Sequence, residues 1–475
     1  MRPQILAAWQ QNAYVRAPSP ASDGPVALRD PRAKATVPQK DNDARFALWV
    51  LFGINLLNFF DRTLGSALAE PIRREFGLND KQIGLANTAF ILAYAIVGLP
   101  LGRLTDKRNR TRLTAAGVAF WSIVTAFSGL VWSFGSMVVA RVGVGFGEAI
   151  CAPAGQSLIG DYFPPEKRSR ALALFMSGLP LGLFASYLFA SAIAARFGWR
   201  MVMFIACVPG LIMAMLSLRM NEPARGATEM HTGLQSAVTR SPFRDLARIR
   251  TMWWIVLSGA TFNFNAYATN SFNTALLMRF HGLDLPRAGR VSAVSLGLAG
   301  LIGLYIGGTF GDRLRAWRPN GRLLLAAAGF VVGAPCVYIA LQQPAGHVTT
   351  YAVLMGCTTA STYIYYATVY SAIQDVVEPR LRGASVALYF FAMYLLGAAF
   401  GPVIVGALSD YMATAAMHAA GATVMADQFK AAGLHSAMYI IPVMLLLTAV
   451  VLVAAARTVA ADMERMQARL KASFT

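Results

Sequence analysis

Charged side chains are scarce in this 475-residue chain: Asp, Glu, Lys and Arg together make up 14% of it, where a soluble globular chain carries about 25%. That shortage excludes an ordinary water-soluble protein. Acids are scarcer than bases, 23 against 42. A nucleic-acid-binding protein would gather such a basic excess on one soluble face, but here the basic residues fall in short gaps between apolar blocks. Cysteine occurs four times, as Cys151, Cys207, Cys336 and Cys357, always inside an apolar block and without metal-ligand spacing. The four read as small packing residues in a reduced setting, and no metal or cofactor site is expected. The five histidines, His231, His281, His347, His418 and His435, fall in loops or at the ends of apolar blocks. With no Ser-His pair or His cluster inside those blocks, an intramembrane enzyme is disfavoured. Residues 1–45 lack an apolar run long enough for a signal peptide and read as a disordered tail.

What the chain has is apolar length: 56% hydrophobic residues and a mean hydropathy of +0.49. A spanning helix needs about 20 apolar residues, and twelve segments meet that need, near 46–69, 82–104, 112–132, 135–160, 169–195, 199–219, 251–279, 288–311, 319–341, 347–373, 382–408 and 436–457. Counting basic residues at span ends with the adjoining gap, the tails and the gaps after even-numbered spans hold 31 Lys and Arg, the opposite gaps nine, and two, Arg62 and Arg141, lie within spans. Because cytoplasmic loops carry the basic excess, both termini are expected in the cytoplasm, as an even number of spans requires.

The longest interior gap, about 220–250, divides the spans six and six. The expected organisation is a tail (1–45), a first six-helix bundle (46–222), a linker (223–250), a second bundle (251–457) and a tail (458–475). In the linker, Phe243, Leu246 and Ile249 sit at helical spacing beside Arg244, Arg248 and Arg250, the pattern of a short helix on the inner leaflet or of a plain solvated linker. An internal repeat supports the division. Gly102 and Asp106, after the second span, are echoed by Gly308 and Asp312 after the eighth; Asp161, Pro165 and Arg168, after the fourth, keep the spacing of Asp375, Pro379 and Arg382 after the tenth.

The run Gly102-Arg-Leu-Thr-Asp106-Lys107-Arg108-Asn109-Arg110 resembles the loop signature of the major facilitator superfamily of secondary transporters, and residues 46–457 fit that family. Asn58-Phe-Phe-Asp61-Arg62, Asn109 where most members have Gly, Gly147-Glu148-Ala149, Asp161-Tyr-Phe-Pro-Pro165, Gly198-Trp-Arg200 and Glu222-Pro-Ala-Arg-Gly226 together resemble its spinster-like branch. The resemblance implies an all-α polytopic membrane protein with twelve transmembrane helices in two pseudo-symmetric six-helix bundles. It also implies secondary transport by alternating access of lysolipids or sphingoid lipids, proton-driven in bacterial members. Asp106 would then accept hydrogen bonds at the amino end of the eleventh span, where the helix dipole favours an anion, and Asp312 would do so at the fifth. Gly102, Lys107, Arg110 and Arg313 would complete these gates. A helix C-cap or a topogenic loop is the plain alternative. The second loop lacks the basic tail of the first.

Charges at bilayer depth normally face a partner or a water-filled cavity. Asn55, Asn58 and Arg62 share a face of the first span, with Asp61 beside them; Arg141 and Glu148, seven apart, share a face of the fourth, with Gly145 between. Arg141-Val-Gly-Val-Gly145-Phe-Gly147 resembles a superfamily motif linked to proton coupling. Glu148 and Asp61 are the candidate proton carriers, with Arg62 and Arg141 their partners. Protonating one acid leaves a net positive site able to hold an anionic headgroup. A static ion pair, or Arg141 clamping backbone carbonyls, is the alternative. In the second half Asn263, Tyr267, Asn270 and Thr274 form a polar stripe, and Thr358, Thr359, Thr362, Tyr363 and Tyr366 another, either walls of a substrate cavity or hydrogen-bonded helix packing. Tyr389, Phe390, Phe391 and Tyr394 extend that surface, unless they are lipid-facing anchors. Pro180-Leu-Gly182 and Gly401-Pro402 could let the fifth and eleventh spans bend, whereas Gly303, Gly307 and Gly311 suit close packing. The expected partners are the bilayer, an amphiphilic small molecule and protons, with a monomer at work. A proton symporter of a small organic anion is the alternative, and a non-transporting sensor the less favoured one.

Overall fold

The computed structural model describes residues 41–105, 107–225, 242–378 and 381–472, and among these every regular element is helical. Twelve long helices form two six-helix bundles. Spans 1 to 6 are Asp41–Ala67, Asp80–Thr105, Arg110–Ser128, Phe134–Tyr162, Lys167–Phe197 and Trp199–Leu218. Spans 7 to 12 are Arg250–Arg279, Leu285–Trp317, Gly321–Leu341, Val348–Val376, Arg382–Ala419 and Asp427–Arg469. Nine are long and apolar enough to cross a membrane on composition alone. The other three, spans 3, 7 and 10, are rich in buried polar residues, among them Arg110, Asn263, Thr274 and Thr362. Many large apolar side chains stay exposed, among them Trp49, Phe127, Val208, Ile302 and Val450, as a bilayer-facing perimeter requires.

Several helices run past the apolar windows that announced them, because a window marks hydrocarbon depth and not where helical hydrogen bonding stops. Span 1 begins at Asp41, inside the expected tail, with Asp41 and Asp43 in its first turn, where the helix dipole favours acids. The last helix continues to Ala472, through most of the expected carboxyl tail. Residues 1–40 and 226–241 lie outside the described residues. The linker contributes one short helix, Pro242–Ala247. Leu246 is 1% exposed, so this helix docks on the bundles and does not lie free on the bilayer.

Each bundle is stapled at the linker end by an arginine in the first turn of its third helix. Arg110 is fully buried and binds Asp161 of span 4 and Glu222 after span 6, with further bonds to Ser157 and the Pro223 carbonyl. Arg322 binds Asp375 at 2.6 Å and Asp312 at 2.7 Å. The Asp161–Asp375 echo therefore has a matching pair of arginines. Asn109 caps span 3, its side chain accepting from the Arg112 N–H at 2.8 Å.

The two bundles touch along spans 2 and 11 and along spans 5 and 8, and both seams close at one end. A Cβ on Gly84 would sit 2.8 Å from the Val403 Cα, one on Gly406 3.0 Å from the Lys81 Cα, and one on Gly297 2.7 Å from the Phe184 Cα. Backbones meet there because no side chain intervenes. At the linker end Gly98, Gly102, Gly308 and Gly383 would meet nothing within 4 Å, so the bundles diverge. Spans 5, 8 and 11 each contain a π-helical turn, Ser186–Ala190, Ala293–Leu298 and Tyr394–Ala398, a local unwinding at these seams. Gly303 and Gly307 pack against span 10, as their spacing suggested.

The sealed end is locked by charge. Arg279, ending span 7, donates two bonds of 2.8 Å to Asp80 and one of 2.8 Å to Glu70. Asp80 also accepts from Ser409 at 2.7 Å, and the Asp410 carboxylate caps span 2 by accepting from the backbone N–H groups of Asp80 and Lys81. Glu70 lies on the short helix Ala69–Phe76 beyond span 1. Burial pushes its carboxyl up, but hydrogen bonds and charge from Arg73 and Arg279 outweigh burial and hold it at about 2. An acid depressed from about 4.3 in an unfolded chain contributes stability in full above that value and loses it as pH falls towards 2. Glu70→Gln should therefore lower the thermal stability of the detergent-solubilised protein at pH 7 by an amount on the order of 3 kcal/mol. The gap to the native chain should narrow below pH 4.3; a gap constant from pH 7 to pH 3 would refute this role for the Glu70 charge.

Candidate functional site

Arg62 occupies the centre of the molecule, 7% exposed. Its Nε and one terminal nitrogen each lie 3.4 Å from Glu148 Oε2, and that terminal nitrogen also donates to Asn58 Oδ1 at 3.3 Å, one helical turn back. The other terminal nitrogen donates to the hydroxyls of Tyr267 on span 7, at 3.1 Å, and Tyr394 on span 11, at 3.2 Å. The Tyr94 ring stacks 4.4 Å from the guanidinium carbon, and Phe59 and Phe90 flank it. A guanidinium has five donors in a fixed fork, and here the fork joins four helices from both bundles.

Glu148 is fully buried, and its second oxygen, like Asn58 Nδ2, has no hydrogen-bond partner. Span 4 breaks just after it: Phe134–Glu148 and Cys151–Tyr162 are separate helices. Pro153 explains the break, since it cannot donate to the Ala149 carbonyl and its ring crowds that group. Gly145 and Gly147 let neighbours approach. A Cβ on the first would lie 2.5 Å from the Phe90 carbonyl oxygen, and on the second 2.7 Å from the Trp121 Cβ.

Asp61, next to Arg62, is turned about 100° round span 1 and faces a different neighbour. Its Oδ2 accepts from Trp121 Nε1 at 3.0 Å. Arg141 pairs with neither acid at salt-bridge distance. It donates to the Arg62 carbonyl and to Asn87 Oδ1, both at 3.3 Å, as the clamp alternative had it. Asn87 in turn donates to Ser271 of span 7 at 3.0 Å. The four charges expected as one cluster thus form a buried pair, Arg62 and Glu148, of which Arg62 reaches the cleft, and a second group in which Asp61 lies behind span 1 and Arg141 borders both sides.

A narrow cleft lies between the bundles, lined by Arg62, Asn87 and Arg141 on one side and by Tyr267, Asn270, Tyr363 and Tyr366 on the other. A side pocket runs from it into the second bundle past Asn265, Thr358, Thr359 and Thr362. The stripe on span 7 divides: Tyr267 and Asn270 face the cleft, while Asn263 bonds the Gly259 carbonyl and Thr274 bonds Ser292 of span 8. Neither lines the cleft: Asn263 is satisfied by its own helix one turn back and Thr274 by a facing hydroxyl of span 8. The span 11 aromatics are not lipid anchors as a set. Tyr389 is buried and bonded to Tyr365, and Tyr394 reaches Arg62. Tyr366, Tyr370, Tyr389, Phe390 and Tyr394 form a chain of ring contacts.

Among the expected gate residues, Asp106 lies outside the described residues, Gly102 faces open space and Lys107 is exposed. Arg110 is a buried staple within its own bundle. Asp312 is not at the amino end of span 5; it is paired with Arg322, because the bundles diverge at this end and the nearest cation is in its own bundle. Arg313 lies over the Phe310 ring. Sequence reasoning missed the lock of Glu70, Asp80, Arg279 and Asp410. Their positions at span ends look like ordinary surface charge, and only Arg279 among basic residues at a span's end with three acids nearby in space reveals it. Tyr94 was missed as well, since a lone Tyr in an apolar span carries no signal.

This arrangement, a buried ion pair beside a cleft between two six-helix bundles sealed at one end, is that of a membrane transporter. The family model described as Major Facilitator Superfamily matches residues 51–402, and the chain belongs to that superfamily. Within it, the chain is spinster-like. It is 32% identical over 384 residues to protein spinster homolog 1 of Mus musculus, covering 76% of this chain and 72% of that one. It is 29% identical to an MFS-type efflux pump of Mycolicibacterium smegmatis over 77% and 84% of the two chains. A solved bacterial homolog of the human lysosomal transporter Spinster, in an inward-facing and unoccupied conformation, superposes with a TM-score of 0.79 at 28% identity, over 88% of this chain and 98% of that one.

Removing one partner of a buried pair leaves an uncompensated charge, at a cost of about 3–5 kcal/mol. Arg62→Ala should therefore destabilise the protein more than the double variant Arg62→Ala/Glu148→Gln, with a coupling of about 1–3 kcal/mol in a double-mutant cycle read by thermal unfolding in detergent. Strict additivity would show that the 3.4 Å pair carries no energetic link.

Proposed function

We propose that the chain is a proton-coupled transporter of an amphiphilic, anionic or zwitterionic lipid-like molecule such as a lysolipid or sphingoid lipid, working by alternating access as a monomer. The observation that carries this reading is the Arg62 guanidinium, held by Glu148 from one bundle and by Tyr267 and Tyr394 from the other. While Glu148 is ionised it competes with any anion for Arg62. Protonated, it releases the fork to a phosphate or carboxylate in the cleft, so proton and anionic headgroup are linked through one cation. The tyrosine and phenylalanine wall of the second bundle suits the apolar part of such a molecule.

In this reading the bundles comprise residues 46–222 and 251–457, joined by the linker 223–250. Both termini are cytoplasmic, by the distribution of Lys and Arg, so the open end faces the cytoplasm and the Arg279 lock faces outward. Asn58, Asn270, Thr362, Tyr363 and Tyr366 complete the substrate cavity. Gly102, Asp106 and Lys107 gate the open end when the bundles close there, and Asp61 and Arg141 take part in proton movement. The second reading, a proton symporter of a small organic anion, draws on the hydroxyl-lined side pocket of Thr358, Thr359 and Thr362 and on 28% identity to a probable L-galactonate transporter of Escherichia coli.

In proteoliposomes, labelled lysolipid should accumulate along an imposed proton gradient. Glu148→Gln, at equal incorporation, should lose gradient-driven accumulation by about tenfold or more while exchange at equal pH stays within about threefold, since only coupling is removed. Native protein that moves a small organic anion and no lysolipid would favour the second reading. Unaltered gradient dependence in Glu148→Gln would reduce that residue to a structural partner.

A further inference from the structure

Inside the first bundle, behind span 1 and apart from the cleft, lies a second, small chamber of about 40 Å³. Three of its lining residues carry a buried polar atom with no hydrogen-bond partner: Asp61 Oδ1, Thr125 Oγ1 and Arg141 Nε. Buried polar groups are seldom left unpaired, and when several face one space large enough for water, ordered water is the usual partner. Asp61 is held so that only Oδ1 is free, because Trp121 occupies Oδ2. From there the chamber extends to the sealed end, bounded by Ile72, Val131, Met137 and Trp199. Trp199 is its cap, the indole donating to Glu75 Oε2 at 2.5 Å. Glu75 is also bound by Arg200. Despite some burial, those bonds from Arg200 and Trp199 keep its carboxyl below the usual range, so it is ionised at neutral pH.

We infer that this chamber is a hydrated proton-access site for Asp61, entered from the sealed end and separate from the substrate cleft. Only Arg141 and Asn87 line both spaces. They form the partition: Arg141 is tied to the Arg62 carbonyl and to Asn87, and Asn87 is tied across the seam to Ser271. A proton arriving through the water chain converts the Asp61 carboxylate to the neutral acid. The groups facing Asp61 are Glu148 and Arg141 from span 4, Trp121 from span 3 and Cys207 from span 6, with Arg62 adjacent. Losing the Asp61 charge leaves Arg141 with Glu148 as its remaining acid, which weakens the partition's hold in its present place. One movement of the second bundle, through Ser271, acts on the same partition. The chamber gives Asp61 a route to protons while the cleft is open only at the linker end.

The proton-coupled role of this site rests on the reading above; the hydration of the chamber does not, and the test separates them. Full-length protein in lipid nanodiscs is exposed to millisecond X-ray pulses, and oxidation by radicals formed from bound water is read by mass spectrometry. Met137 and Met203, both buried and lining the chamber, should oxidise about tenfold faster than Met252 and Met438, which are buried without lining it. Rates equal to those controls would mean a dry chamber and overturn the inference. Ala86→Leu, which fills the chamber from span 2, should slow oxidation of Met137 and cut proton movement in proteoliposomes about tenfold, with lysolipid binding from the open end unchanged. Thr125→Val, nearly isosteric, should cut proton movement severalfold if the larger residue prevents folding. Normal proton movement in both variants would overturn the route. Fast oxidation of Met137 in a native protein that moves no protons would support the hydrated chamber and overturn the coupling reading alone.

Discussion

A buried guanidinium cannot give up its charge, so every structural choice near Arg62 has to answer it. The five donors need acceptors, and the first bundle supplies a carboxylate and one amide oxygen, from Glu148 and Asn58. The remaining acceptors come from the opposite bundle, as the hydroxyls of Tyr267 and Tyr394. The π-helical turn that starts at Tyr394 sets the register of that ring. The break of span 4 after Glu148, imposed by Pro153, ends its helix at the ion pair itself. The two bundles are thus joined at their centre by one cation whose partner on one side can be neutralised and whose partners on the other cannot.

The rest of the molecule divides into parts that must not move and parts that must. Arg110 and Arg322 tie the linker ends of their own bundles, Arg110 through the half-buried Asp161 and Glu222 and Arg322 through the half-buried Asp375 and the exposed Asp312, so each bundle keeps its shape there. Between the bundles the contacts are of another kind. Glycines allow backbone against backbone, and the ion network of Glu70, Asp80 and Arg279 closes one end. Backbone contact is short-ranged, and ion pairs that meet water regain much of their energy by hydration. Such a seam can separate without unfolding either bundle, which is what a carrier built of two rigid halves needs.

Much of this was legible in the chain. Charges standing alone in apolar runs pointed to Asp61, Arg62, Arg141 and Glu148 without any structure, because a buried charge is costly and therefore rare. Their pairing was legible only as an alternative, a static ion pair between the first and fourth spans. Spacing on one helix suggested Arg141 with Glu148, whereas Glu148 meets Arg62, 86 residues away, since Gly145 and Gly147 bring spans 2 and 3 against the face that Arg141 would have used. The repeated Asp161 and Asp375 were visible as an echo, but their arginines, Arg110 and Arg322, begin helices 51 and 53 residues earlier, and nothing in the sequence marks those two among the other basic residues at span ends. The polar stripe on span 7 was visible as a whole; that Thr274 faces Ser292 while Asn270 faces the cleft depends on where span 8 packs. The lock at Arg279 was hidden for the opposite reason, since charges at span ends are common and only their convergence is informative.

Asp61 and Arg62 are neighbours in sequence and face different compartments. About 100° of helical rotation separates adjacent residues, enough to place one acid in the chamber of the first bundle and its neighbouring cation in the cleft. A single helix thereby touches both compartments with adjacent side chains. The Arg62 carbonyl holds Arg141, which borders both spaces, so a shift of span 1 cannot alter one compartment while leaving the other as it was. Two separated charge groups joined through one stretch of backbone can exchange influence without sharing water. In the function proposed above, that separation is what would couple a proton to a solute without letting the proton leak through the solute's path.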